Sequence, residues 1–173
     1  AAVADGASVG ARDAQHDVEP LCLACQHGHL GIAQWLHGAG ASVDATDYEG
    51  LTPLHQACVE GHLDVALWLH SQGASVNATE NEGDTPLHLA CLRGQLGVAQ
   101  WLQSAGASVN ATSNVGNTPL HRTCRAGHLD VAQWLHSTGA SIDTTCGGGD
   151  TPLQVACCHG YLGIAQWLHS AGA

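Results

Sequence analysis

Apolar residues fall on one face of two successive predicted helices, and the same pattern returns 33 positions later. Leu54, Ala57 and Cys58 share one face at helical spacing, and so do Leu63, Ala66 and Leu69. Thr52 is a good N-cap and Pro53 suits the first helical position, so a helix is predicted to begin there. His55 stands three residues after the cap, where a side chain can reach back as Glu or Gln does in a capping box. Gly61 ends this helix, a second is predicted from about Leu63 to Gln72, and Gly73 ends that one. The polar stretch that follows is rich in Asn, Asp and Gly and reads as an extended, hairpin-like turn.

The recurrence is in register at independent positions. Pro occurs at 20, 53, 86, 119 and 152, Cys at 25, 58, 91, 124 and 157, and Trp at 35, 68, 101, 134 and 167. Gly marks both helix ends, at 28, 61, 94, 127 and 160 and at 40, 73, 106, 139 and 172. Neither helix of a unit can bury its apolar face alone, so neighbouring units must stack. The units are 17–49, 50–82, 83–115, 116–148 and a truncated 149–173. Residues 1–16 read as the tail of a preceding partial repeat, because Gly6-Ala7-Ser8-Val9 echoes Gly40-Ala41-Ser42-Val43 one residue out of phase.

The stretch Gly-Asp-Thr-Pro-Leu-His-Leu-Ala-Cys at 83–91, with Gly-Gln-Leu-Gly-Val-Ala at 94–99 and Gly-Ala-Ser-Val-Asn at 106–110, closely resembles the ankyrin repeat. The resemblance covers residues 17–173. It implies an all-α ankyrin-repeat solenoid, here five helix-turn-helix repeats of 33 residues with hairpin-like fingers along one edge. It also implies a partner protein or peptide held on the concave face of fingers and first helices.

Two repeats depart from the pattern. Repeat 1 has Glu19 and Cys22 where the others have Thr and His or Gln, which predicts a weaker cap; repeat 5 has Gln154, a literal capping-box residue. Repeat 5 also keeps Val155, Ile164, Trp167 and Leu168 apolar, although terminal repeats need a polar outer face. Position 173 is therefore expected to be a cut, or a surface that something covers. With no Met and a start at Ala1, the chain reads as a piece of something longer.

Composition narrows the partners. Only 11% of residues are charged, against roughly 25% in ordinary domains. There is no Lys, Arg occurs only at 12, 93, 122 and 125, and 15 acids bring the formal charge to −11. That balance argues against a nucleic-acid backbone, where Lys and Arg must replace counterions, and against an anionic membrane surface. No apolar run approaches the length of a membrane span.

The eight Cys and 13 His invite a zinc reading. Cys22 and Cys25 have the right spacing for half a site, but no second pair follows at zinc-finger distance. The recurring Cys are expected to be buried, reduced packing residues, in a reducing compartment such as the cytoplasm or nucleus. His55, His88 and His121 belong to the cap, His29, His62 and His128 follow the first-helix glycine, and His37, His70, His136 and His169 close the second helix. No row gathers the partners that catalysis or metal binding needs, so no enzyme, metal or cofactor is expected. The Trp row is expected to be half-buried packing between repeats, the rival being an aromatic binding strip.

Positions where the units disagree are the candidates for partner binding. They are Tyr48, Glu49, Leu51, Val59 and Glu60 around the start of the second unit, Asn81, Glu82, Asp84, Leu92 and Arg93 around the third, and Asn114, Val115, Asn117, Arg122 and Arg125 around the fourth. A mixed apolar and charged strip suits a protein interface. Within it, Arg93, Arg122 and Arg125 are expected to form a cationic spot that anchors an acidic residue or C-terminus of the partner. The rival expectation is that Glu82 and Asp84 pair with them as surface ion pairs. The alternative function is a structural segment of a longer array or assembly, contacting its neighbours end to end.

Overall fold

A computed structural model describes residues 19–173. In chain order their helices pair as α1 (Pro20–Gln26) with α2 (Leu30–Gly38), and α3 (Pro53–Glu60) with α4 (Leu63–Ser71). Next come α5 (Pro86–Leu92) with α6 (Leu96–Ser104), α7 (Pro119–Ala126) with α8 (Leu129–Ser137), and α9 (Pro152–Cys158) with α10 (Leu162–Ser170). The described residues contain no strand, and the fold is the predicted all-helical solenoid of about five repeats. The odd-numbered helices pack side by side as an inner layer, and each even-numbered helix returns behind its partner. The reading of residues 1–16 as a partial repeat lies outside the described residues.

Local chemistry places the helix starts. Thr52, Thr85, Thr118 and Thr151 each accept from the N–H three residues on, while His55, His88, His121 and Gln154 reach back to the cap N–H. α1 begins at Glu19 without a side-chain cap bond, the weaker start that its sequence predicts.

One continuous core runs through the stack, built from the Leu21, Leu54, Leu87 and Leu120 row and the small Ala and Cys rows behind it. Cys25, Cys58, Cys91 and Cys124 are fully buried. Burial pushes the thiols of Cys25, Cys91 and Cys124 up to about 12, and that of Cys58 up as well. Cys157 breaks the expectation and is exposed. Its row is buried by the next repeat's inner helix, and among the described residues no inner helix packs on the far side of α9.

Trp68, Trp101, Trp134 and Trp167 are half-buried. His37, His70 and His136 stand edge-on to Trp68, Trp101 and Trp167 at 5.8, 5.9 and 5.8 Å. Trp35, before which no repeat is described, is 66% exposed.

Side chains also bond neighbouring repeats through the main chain. Nδ1 of His55, His88 and His121 accepts from its cap N–H, which leaves the proton on Nε2. Nε2 then donates to the carbonyl 29 residues ahead, at Asp84 (3.3 Å), Asn117 (3.0 Å) and Asp150 (3.1 Å). In the opposite direction, His62 donates to Gln26 O (3.1 Å), Gln95 to Val59 O (3.4 Å) and His128 to Leu92 O (3.2 Å). These carbonyls end the first helices, where no intrahelical donor is left. Gly94 lies under His128 at φ 71°, and a Cβ there would sit 2.6 Å from the His128 Nδ1. Close approach and left-handed backbone thus both demand glycine.

Candidate functional site

The fingers and the inner helices enclose a groove of about 1060 Å³. Its finger wall is built by tight turns. The Asp47 carboxylate accepts from the N–H groups of Glu49 (3.0 Å) and Leu51 (2.9 Å), and Glu80 accepts from Glu82 (2.9 Å) and Asp84 (2.7 Å). In the next finger Ser113 Oγ accepts from Asn117 N–H at 3.2 Å. Successive fingers are then tied together by Asn81 N–H to Glu49 O (3.0 Å), Asn114 N–H to Glu82 O (2.8 Å) and Gly147 N–H to Val115 O (2.7 Å).

Asn114, Val115 and Asn117 lie outside the groove lining, on the fourth finger, where Val115 is 55% exposed. The other sequence candidates come together in the groove: Tyr48, Glu49, Leu51, Val59, Glu60, Asn81, Glu82, Asp84, Leu92, Arg93, Arg122 and Arg125. Leu23, Gln26, Asp47, Gln56, Glu80 and Leu89 line it with them and were not singled out from sequence. Asp47 and Glu80 carried a usable signal, since an acceptor side chain at one register position is what a side-chain-closed turn requires. The amides of Asn81 and Asn114 serve the scaffold, donating to Tyr48 O and Asn81 O at 3.0 Å each.

The three arginines divide. Arg122 is buried, its Nη2 2.7 Å from Asp84 Oδ2 and its Nε donating to Asp84 Oδ1 at 3.2 Å. The exposed carboxylate of Glu82 lies 3.4 Å from the same Nη2. Arg122 is therefore taken by Asp84 and Glu82, the pairing weighed against the cationic anchor, but the contact with Asp84 is buried rather than superficial. Burial pushes the Asp84 carboxyl above its ordinary range, Arg122 pulling it down and Glu80 and Glu82 pushing it up. Arg93 and Arg125 are exposed and have no ion pair among the described residues.

Among the described residues no group of three or more His, Cys, Asp or Glu is placed to hold a metal ion. No helix among them is long and apolar enough to cross a membrane. A family model described as ankyrin repeats in three copies matches residues 21–113. A second, described as ankyrin repeats in many copies, matches 102–136 and 120–169. The chain belongs to the ankyrin repeat family. A comparison with curated proteins found no match. Ankyrin repeats are in general protein–protein interaction modules and typically non-enzymatic scaffolds.

Proposed function

We propose that the groove between fingers and inner helices holds a segment of a partner protein, and that the chain is a binding scaffold rather than an enzyme. One observation carries this reading. Recurring positions are consumed by caps, core and inter-repeat bonds, whereas the differing positions, Asn114, Val115 and Asn117 apart, gather in one groove of about 1060 Å³. Its half-buried Leu51, Val59, Leu89 and Leu92 give an apolar floor, bordered by exposed charges. An acidic side chain or C-terminal carboxylate of the partner anchors on Arg93 and Arg125, Arg122 being already paired. The buried packing role of Cys25, Cys58, Cys91 and Cys124, outside any disulfide, suits a reducing compartment, cytoplasm or nucleus.

A photo-crosslinking side chain at Leu92, compared with one at Gln133 on an outer helix, tests the groove in native extract. Mass spectrometry should identify a partner joined through position 92 and not through 133. Crosslinks confined to 133 would refute the groove.

A second reading, contact with neighbours through the end of the stack, is favoured by the exposure of Cys157 and of Leu162, which is 68% exposed. It predicts crosslinks from position 162 instead.

A further inference from the structure

We propose that the partner segment is dipolar, with Lys or Arg opposite Glu49 and Glu60, a carboxylate opposite Arg93 and Arg125, and apolar side chains between. This deepens the reading of the groove as the partner site and rests on it.

Sorting the groove's charges by what already holds them leads there. Asp84 is taken by Arg122, Asp47 accepts its finger's N–H groups through Oδ1 and Gln56 Nε2 through Oδ2 at 3.1 Å, and Glu80 spends its oxygens on the N–H groups of its own finger. Glu82 lies 3.4 Å from Arg122. The exposed charges left for a partner are Glu49 on the finger leading into repeat 2 and Glu60 in repeat 2, and Arg93 and Arg125 in repeats 3 and 4. Opposite signs thus occupy opposite ends of the groove instead of alternating.

Glu60 has no ion pair among the described residues, though Arg93 occupies the same register position one repeat on. Glu49 accepts the Tyr48 hydroxyl at 3.0 Å and stays exposed, and the 59%-exposed Tyr48 ring beside it suits a cation. The half-buried floor between the two ends is Val59, Leu89 and Leu92.

Scale and field fix the partner further. Adjacent packed helices lie about 10 Å apart, so the acids at the repeat 2 end and Arg125 of repeat 4 are separated by roughly 20 Å. An extended chain covers that in about six residues. The formal charge of −11 without any Lys means that the protein's field draws in the basic end of the segment. A second copy of this chain, Lys-free and with the same formal charge of −11, is repelled by that field, so the occupant is taken to be a different protein.

A random peptide display library selected on the purified chain tests this. Recovered peptides should carry Lys or Arg on one side of an apolar stretch and Asp or Glu about six residues away. The Glu49→Lys, Glu60→Lys variant should bind them roughly tenfold more weakly and, on reselection, lose the basic preference while keeping the acidic one. Arg93→Glu with Arg125→Glu should do the converse. All four side chains are exposed, so melting temperature should stay unchanged in both variants. Leu92→Asp separates the two claims. Peptides lost in Leu92→Asp but indifferent to both charge reversals overturn the dipole alone. Peptides that survive Leu92→Asp, or a selection that yields none dependent on the groove, overturn the groove and the dipole together.

Discussion

The guanidinium of Arg122 lies 2.7 Å from the carboxylate of Asp84, 38 residues earlier in the chain, and both side chains are almost wholly buried. The contact ties the finger leading into α5 to the inner helix of the next repeat. The equivalent of Arg122 elsewhere is Leu23, Gln56, Leu89 or Val155, and that of Asp84 includes Leu51 and Asn117, so the scaffold does not require the pair. Burial outweighs Arg122 in its effect on the Asp84 carboxyl, which is pushed up. A folded-state carboxyl raised in this way contributes stability that is fully present below its ordinary range and is lost as pH rises through the raised one, so ionised Asp84 is a burden near neutrality.

Asp84→Leu alone should therefore cost about 3 kcal/mol, because it strands Arg122 without its buried partner. Adding Arg122→Leu should bring stability back to within about 1 kcal/mol of the parent, as apolar replacement of buried ion pairs does elsewhere. Urea unfolding of the parent, the single and the double variant decides it. A double variant as unstable as the single would make the attraction a net stabiliser.

The cap histidines should make the fold acid-sensitive well above the ordinary carboxylate range. Burial lowers His55, His88 and His121, with His88 brought from 6.5 to about 4. Because the folded value is depressed, this stability is present above pH 6.5 and lost as pH falls towards 4, where the unfolded chain takes up the protons first. For His88 the loss over that window is about 3 kcal/mol. His88→Gln should flatten the slope, since Gln154 already closes its own box, donating nothing that titrates and accepting from Thr151 N–H at 2.8 Å. Thermal melts between pH 7.5 and 4.5 measure it; equal slopes in parent and variant would place the sensitivity elsewhere.

Two glycines should respond in opposite ways to alanine. Gly94→Ala meets both a φ of 71° and the His128 ring, and should destabilise by about 2 kcal/mol. Gly97 lies near the start of α6, and a methyl group there would have nothing within 4 Å. The same change at Gly97 should gain up to about 1 kcal/mol. Chemical denaturation of both variants is the check. Equal effects would show that the close approach at Gly94 relaxes without cost.

Thiol reactivity should split the cysteines. Cys157 and Cys158 are exposed and should react with an aromatic disulfide reagent at once under native conditions. Cys25, Cys58, Cys91 and Cys124 should wait for unfolding. Rapid native labelling of any of these four would contradict the packed core.

Five copies in register made the fold legible, because each recurring residue had to serve the same contact in every unit. Caps, helix ends and the half-buried Trp row follow from that rule. The rule fails where a unit lacks a neighbour, and Cys157 is the case in point: its register is that of Cys124, but its burial depends on a repeat that these residues do not supply. The groove was legible as a set of disagreeing positions. Which charges within it stay available was not, because Arg122 reaches diagonally across a repeat boundary to an acid that no short sequence spacing links to it. The turn-closing roles of Asp47 and Glu80 were harder to see for a different reason. Their turn-closing bonds go to main-chain N–H groups, so the signal is an acceptor recurring at one register position, and the Gln56 side chain that donates to Asp47 Oδ2 at 3.1 Å is replaced by Leu89 one repeat on.

The imidazole bonds between repeats, and that of Gln95, end on main-chain carbonyls, at Asp84, Asn117 and Asp150 in one direction and Gln26, Val59 and Leu92 in the other. A carbonyl is the same acceptor whatever side chain its residue bears. The Arg122–Asp84 pair apart, a unit can therefore be duplicated, deleted or exchanged for a relative's without searching for matched partners, provided the splice falls in phase. What such shuffling changes is the row of side chains facing the groove, so that recognition can be rewritten by recombination while the joints between units are inherited intact.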